Sequence, residues 1–418
     1  MEYKKLSLGG YNLHLIKTNK FKTMHAEAIF YNNVNTNDIT KREFLTRILL
    51  ESNESYQSDR KLQIKLEDLY DASLVASNSK VGGAFITSFA IDFLSPEYAD
   101  KAIIRDSIKL LFDVILNPYV SVSEFDNKTF SLVKERIKDN INKALEDPKR
   151  LSLNNALKHL GDTPSAYTNL GNIDDLEEIT PTNLYDYYKE MIRNDYLDIF
   201  VVGNIDMDSV TKIIIDNAKF NVVKNHAVNM YVNNKISKES FYSDKSNFVQ
   251  SNLTVLLHLN NLTDYEKRYV ANMYNNILGQ NSNENKLFQT LREKNSLCYG
   301  VSSYYQKYDG LIVITTGVDP SNSKYAFKCI KDCLKEMTNN ITDEEVANAK
   351  EQIISSLNFA KDNIDRIVDN YFYQSLGEID DIETRIKTFK NVTKEEIEKF
   401  SKKVSISICY NLEGEKHE

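Results

Sequence analysis

The sequence predicts an α+β protein made of two homologous halves, each a mixed or antiparallel β-sheet packed against helices. Three observations point there. Short runs of β-branched and aromatic residues alternate with longer amphipathic stretches. The order of these runs occurs twice along the chain. The chain has 418 residues, 41% of them hydrophobic, which is too long for one ordinary core and apolar enough for two.

In the first half, 11–16 and 25–31 read as strands and 41–50 as a helix. Residues 54–70 are mixed and charged. Ala84-Phe-Ile-Thr-Ser-Phe-Ala-Ile-Asp-Phe93 has the aromatic and β-branched content of a strand. Over 97–116, Ile104, Ile108, Leu111 and Ile115 recur at helical spacing, and Asn117-Pro118 ends the helix. A long charged helix over 124–145 stops at Glu146-Asp-Pro148. Helix fills 151–160 and 182–192, and 196–202 is an apolar strand closed by Gly203-Asn-Ile-Asp206. Residues 219–246 are rich in Asn, Lys and Ser without strong periodicity, and read as a linker with some local extended structure.

The second half repeats this order. Residues 253–259 read as a strand, 264–278 as a helix and 311–316 as a strand. A helix over 323–337 turns Phe327, Ile330, Leu334 and Met337 inward. Another follows over 342–357, with Thr342-Asp-Glu-Glu345 as its cap and acidic first turn. Gly83 precedes a strand ending at Asp92, and Gly310 precedes one ending at Asp319, each 227 residues later. Lys134-Glu-Arg-Ile137 is echoed by Lys350-Glu-Gln-Ile353. Domains at 1–218 and 247–418, joined by 219–246, are therefore expected.

Composition narrows the function. A net charge of −8, a pI of about 5.5 and no clean basic face argue against a nucleic-acid partner. Met1-Glu-Tyr-Lys-Lys opens without the apolar run of a signal peptide. No stretch reaches the roughly 18 apolar residues of a membrane span, so a cytoplasmic protein is expected. Cys298, Cys329, Cys333 and Cys409 form no Cys-x-x-Cys pair and read as buried thiols. No two of the six histidines lie within a helical turn of each other, so a His-x-x-x-His zinc pair does not occur. Phosphate-cradling glycine loops and a Gly-x-Ser-x-Gly elbow are also absent from the sequence.

One segment stands apart. Residues 276–299 run from a helix through a polar loop into a second helix and a turn, with Arg292 and Tyr299 flanking that turn. A guanidinium fork and a phenol could together grip a peptide backbone. The residues alone leave a second reading open, an Arg capping a helix end beside a half-buried Tyr.

Leu278-Gly279, followed by Asn285-Lys-Leu-Phe-Gln-Thr-Leu-Arg-Glu-Lys-Asn-Ser-Leu-Cys-Tyr299, resembles the C-terminal motif of the insulinase/pitrilysin-like zinc metallopeptidases. Mitochondrial processing peptidase belongs to that group. The motif's usual form is Leu-Gly-Gly, a Ser-rich loop, then Leu-Phe-x-x-Leu-Arg-Glu-Lys-x-Gly-Leu-Ala-Tyr, with the same Arg-to-Tyr spacing of seven. Leu170-Gly171 with Ile179-Thr180, Val202-Gly-Asn-Ile-Asp206 and Gly317-Val-Asp-Pro320 extend the resemblance over nearly the whole chain. It implies the duplicated α+β fold of the LuxS/insulinase-like peptidases.

The departure from the family is as informative. Active members carry His-x-x-Glu-His on an early helix, with zinc on the histidines, the glutamate as general base and a downstream glutamate as a further ligand. Matching Asn53-Glu-Ser-Tyr56 to the family's Gly-Thr-x-Tyr sets Phe44 and Ile48 at the histidines and Arg47 at the base. The downstream glutamate falls at Asn140. The resemblance therefore implies a chain that binds no zinc itself and is not catalytic alone. It would pair with a zinc-bearing paralogue and supply Arg292 and Tyr299 to peptide or unfolded polypeptide substrates. Two alternatives stay open: an active hydrolase with atypical ligands such as His25, Glu51, Glu54 and Glu67, and a purely structural subunit.

Overall fold

The computed structural model describes residues 1–220, 227–234, 238–280 and 284–415. They form two compact units, Met1–Asn142 with Thr168–Met230, and Lys143–Tyr167 with Tyr231–Glu418.

Among the described residues, the main sheet of the first unit has six strands: β1 (Glu2–Ser7), β2 (Asn12–Lys17), β3 (Thr23–Asn33), β4 (Ser73–Val81), β5 (Ala84–Leu94) and β6 (Tyr196–Gly203). They pair in the order β1-β2-β6-β3-β5-β4. Only β2 and β6 run parallel. Strand alternation explains the core. Met24, Ala26, Ala28 and Phe30 of β3 point to the helical side and are buried with Leu13, Leu15, Ile199, Val201 and Phe89. Two helices of this side matter below: α1 (Ile39–Glu51) and the long α2 (Asn127–Glu146).

The second sheet joins β7 (Ser240–Lys245), β8 (Ser251–Leu259), β9 (Cys298–Gln306), β10 (Leu311–Val318) and β11 (Val404–Glu413) in the order β9-β10-β8-β11-β7. Again one pair, β11 with β7, is parallel and the others antiparallel. Strand for strand this is the pairing of β4-β5-β3-β6-β2, so the duplication read from glycine spacing extends to sheet order and direction.

The helix α3 (Pro148–Lys158) covers one face of this second sheet. Its Ala156 and Leu157 pack with Leu256, Val313, Ile408 and Tyr410. Its Ser152 hydroxyl donates to the Asn252 carbonyl at 3.0 Å. Residues 143–167 thus fold with the second unit, whereas the sequence reading kept them in 1–218. An amphipathic helix carries the same pattern whichever sheet receives it. The expected linker 219–246 also ends in sheet, because β7 needs only its backbone groups to extend an edge and its side chains are largely exposed. Part of that linker, 221–226 and 235–237, lies outside the described residues. The opposite sheet face bears Leu253, Val255, Leu257 and Ile314, buried against α4 (Ala271–Gly279) and α5 (Asp343–Ala360) among other helices. The Thr342 and Glu345 capping box opens α5 as the sequence indicates.

A buried charge fixes α1. Arg42 is 2% exposed and pairs with Asp195, itself 2% exposed. Its Nε donates to Thr87 Oγ1 of β5 at 2.7 Å, and another guanidinium nitrogen to Tyr187 Oη at 3.2 Å. Burial alone would disfavour the cation, yet Asp195 and Tyr187 hold it firmly charged. Replacing Asp195 by Ala leaves that cation buried and alone, at a cost of about 3–5 kcal/mol. Urea unfolding of the variant checks this. A loss below about 1 kcal/mol contradicts the role given to the pair.

Candidate functional site

On α1, Phe44 and Ile48 are four residues apart and share the inner face. Both are buried. The Phe44 ring stacks on Phe130 of α2, centroids 4.7 Å apart and planes at 19°. Arg47 points outward, and its guanidinium pairs with Glu43 one turn earlier at 2.9 Å. Asn140 lies exposed on α2. The positions that the resemblance sets at the family's metal and base thus present two hydrocarbons, an outward guanidinium and an exposed amide. None of these supplies a zinc ligand or a base at neutral pH.

The atypical ligands fare no better. Glu51 of α1 pairs with Arg136 of α2. Glu54 and Glu67 are exposed. His25, on β3, commits both ring nitrogens: Nδ1 lies 2.9 Å from Asp92 and Nε2 lies 3.2 Å from Glu27. Among the described residues no three His, Cys, Asp or Glu side chains form a set that could hold a metal ion. The residues present do not fit a zinc site.

The second unit builds a different kind of site. Asn285 caps a single helical turn, Lys286–Phe288, by accepting from the Phe288 amide at 2.8 Å. The turn widens into a π-helical segment, Gln289–Lys294, which carries Arg292. Leu287 and Leu291 are fully buried and anchor it. The chain then reverses at Ser296, whose φ of 51° falls where the family motif has glycine. The Leu297 amide closes this reversal on the Leu291 carbonyl at 2.8 Å. Gly279 belongs to the same construction. A Cβ there would come within 2.6 Å of Leu287 Cδ1 and 2.7 Å of Ser303 Oγ, so a larger residue would have to displace both side chains.

This local path brings Arg292 and Tyr299 together. The guanidinium carbon sits 5.2 Å from the centre of the Tyr299 ring, within cation–π range. One guanidinium nitrogen donates to the Cys298 carbonyl at 3.3 Å. Arginine has five N–H donors, so most of the fork is left for another acceptor. Tyr299 is 81% exposed at the start of β9. A supporting contact was not legible in the sequence: Tyr325 Oη donates to Asn295 Oδ1 at 3.0 Å, and Asn295 Nδ2 to the Thr290 carbonyl at 2.8 Å. These bonds brace the turn around Arg292. No local motif joins residues 30 apart, and a π-helical turn has no compositional signature.

Comparison with known proteins finds relatives of this chain. The family model described as the peptidase M16 inactive domain matches residues 178–353. The probable inactive metalloprotease YmfF of Bacillus subtilis (strain 168) is 26% identical over 415 residues, covering 97% of this chain and 96% of that protein. A conserved protein from Enterococcus faecalis V583 superposes with a TM-score of 0.92 at 23% identity, over 100% of this chain and 99% of that one. The peptidase M16 inactive domain from Pseudomonas fluorescens superposes with a TM-score of 0.83 at 16% identity, over the whole of both chains. The chain is thus a homologue of the insulinase/pitrilysin-like, or M16, metallopeptidases, without the His-x-x-Glu-His motif. No helix among the described residues is long and apolar enough to cross a membrane.

The His25 cluster gives a pH test. Burial disfavours its imidazolium, but hydrogen bonds and charge from Asp92 and Glu27 outweigh this and raise its pKa to about 9. Its folded pKa lies above the unfolded one, so its stabilisation is full below about pH 6.5 and fades as pH rises through 9. The wild type should lose about 1–3 kcal/mol over that interval, and His25→Gln should flatten the profile. Unfolding curves at pH 6, 7.5 and 9 measure both. Equal slopes in the two proteins contradict the assignment.

Proposed function

We propose that this chain is the non-catalytic subunit of a two-chain M16 peptidase, contributing Arg292 and Tyr299 to substrate held at a partner's zinc. The partner is a paralogue carrying His-x-x-Glu-His. The substrate is a peptide or unfolded polypeptide, and the setting is the cytoplasm. The observation that carries this reading is the contrast between the two units. Phe44 stacks on Phe130 where ligands belong, while Arg292 lies over an exposed Tyr299.

The chemistry follows from donor geometry. The free N–H groups of Arg292 bind a substrate carbonyl oxygen, and the cation stabilises the charge that grows there when a metal-activated water attacks. Stacking on Tyr299 restrains the guanidinium before substrate arrives. The phenol offers one further donor or acceptor to the peptide backbone. Four unpaired, buried cysteines suit a reducing compartment.

The test is to co-purify the chain with a His-x-x-Glu-His paralogue from its own organism and assay peptide cleavage. Arg292→Ala should lower kcat/KM by about 100-fold and Tyr299→Phe by about tenfold, with pairing unchanged. Full activity in both variants refutes the assigned roles.

A further inference from the structure

The second unit contains a cavity of about 820 Å³ between α4 and α5. Its place in the duplicated fold is informative. Strands β3 and β8 begin 228 residues apart, at Thr23 and Ser251, and the same separation carries Phe44 to Asn272 and Ile48 to Asn276. The helices α2 and α5 begin 216 residues apart, at Asn127 and Asp343, which carries Asn140 to Ser356. Asn272, Asn276 and Ser356 all line the cavity, with Gln280, Gln352 and Arg385. In the first unit the corresponding crevice is filled by stacked aromatic rings. In the second it is open and amide-walled.

We propose that this cavity is a second peptide-binding site, which takes a short extended segment bearing a carboxylate. The proposal rests on reading the chain as a peptide-handling subunit. The volume falls within the 300–1,000 Å³ common for ligand pockets. Asn and Gln side chains offer donors and acceptors together, which matches the alternating N–H and C=O groups of an extended backbone. Among the described residues, Gln352 Oε1 is buried without a hydrogen-bond partner, an acceptor that a peptide N–H satisfies. Arg385 is half-buried and donates to a neutral partner, Asn370 Oδ1, at 2.8 Å. Burial lowers its pKa despite the nearby Asp380 carboxylate, so the cation is incompletely compensated. A ligand carboxylate completes it. Glu284 and Glu351, also in the lining, are exposed, and Glu284 accepts from Asn348 Nδ2 at 3.3 Å.

The carboxylate could be an acidic side chain or a free C-terminus, and one probe separates them. Fluorescein-labelled Ser-Ala-Asn-Ala-Asp-Ala-Ser is titrated with the full chain by anisotropy, alongside its Asp→Asn and C-terminally amidated forms. One of the two altered peptides should bind at least about fivefold more weakly, which names the group that meets Arg385. Ser356→Trp, a change at an exposed side chain that fills the cavity, should weaken binding at least about tenfold while the thermal melt is unchanged. Arg292→Ala should leave this binding within about twofold. The proposal is overturned if no peptide binds at about 1 mM chain, if Ser356→Trp has no effect, if neither charge change matters, or if maltotriose displaces the probe. Binding lost to Arg292→Ala alone overturns it while leaving the Arg292 and Tyr299 roles intact. Loss of partner-dependent cleavage is a separate readout and bears only on those roles.

Discussion

Helix α1 is held from two sides by contacts that tolerate no rotation. On one side Arg42, stripped of water, requires Asp195, Thr87 and Tyr187 at fixed positions. On the other side, about 200° around the helix, Phe44 lies flat on Phe130. Removing either register leaves a buried cation unpaired or a void between helices, and both cost several kcal/mol. The first unit is organised around this helix. Its inner positions are core, where Phe44 and Ile48 pack with Phe130.

The second unit keeps the opposite character. Its motif segment is anchored by Leu287 and Leu291, while Arg292 is half-buried and Tyr299 exposed. A π-helical turn and a positive φ at Ser296 persist there, each less favourable than regular helix or an ordinary backbone angle. Strain of this kind survives where surrounding contacts fix it, and here they place a guanidinium over a phenol ring. The two units share a sheet topology and have diverged in opposite directions, one toward a filled interior and one toward polar contact.

Much of this was legible in the sequence because it is local. The alternation in β3 and β5, the capping box at Thr342 and the glycine spacing each reflect contacts within a few residues or an exact repeat. The burial of Phe44 and Ile48 was legible because two apolar residues four apart share one helix face. What was not legible depends on distant partners. Nothing local says that α3 covers the second sheet, that Phe130 is the ring beneath Phe44, or that Tyr325 braces Asn295. The polar strand β7 was hidden for another reason: an edge strand is held through its backbone, and its side chains carry no core pattern.

We propose that the positions matching the family's zinc site are hydrophobic core in this chain and that cleavage requires a partner. It is tested most directly by metal content. The isolated chain is incubated with excess zinc, desalted and measured by mass spectrometry for bound metal. The account predicts far less than one zinc per chain and no peptide cleavage. One zinc per chain, with turnover from the isolated protein, would contradict it.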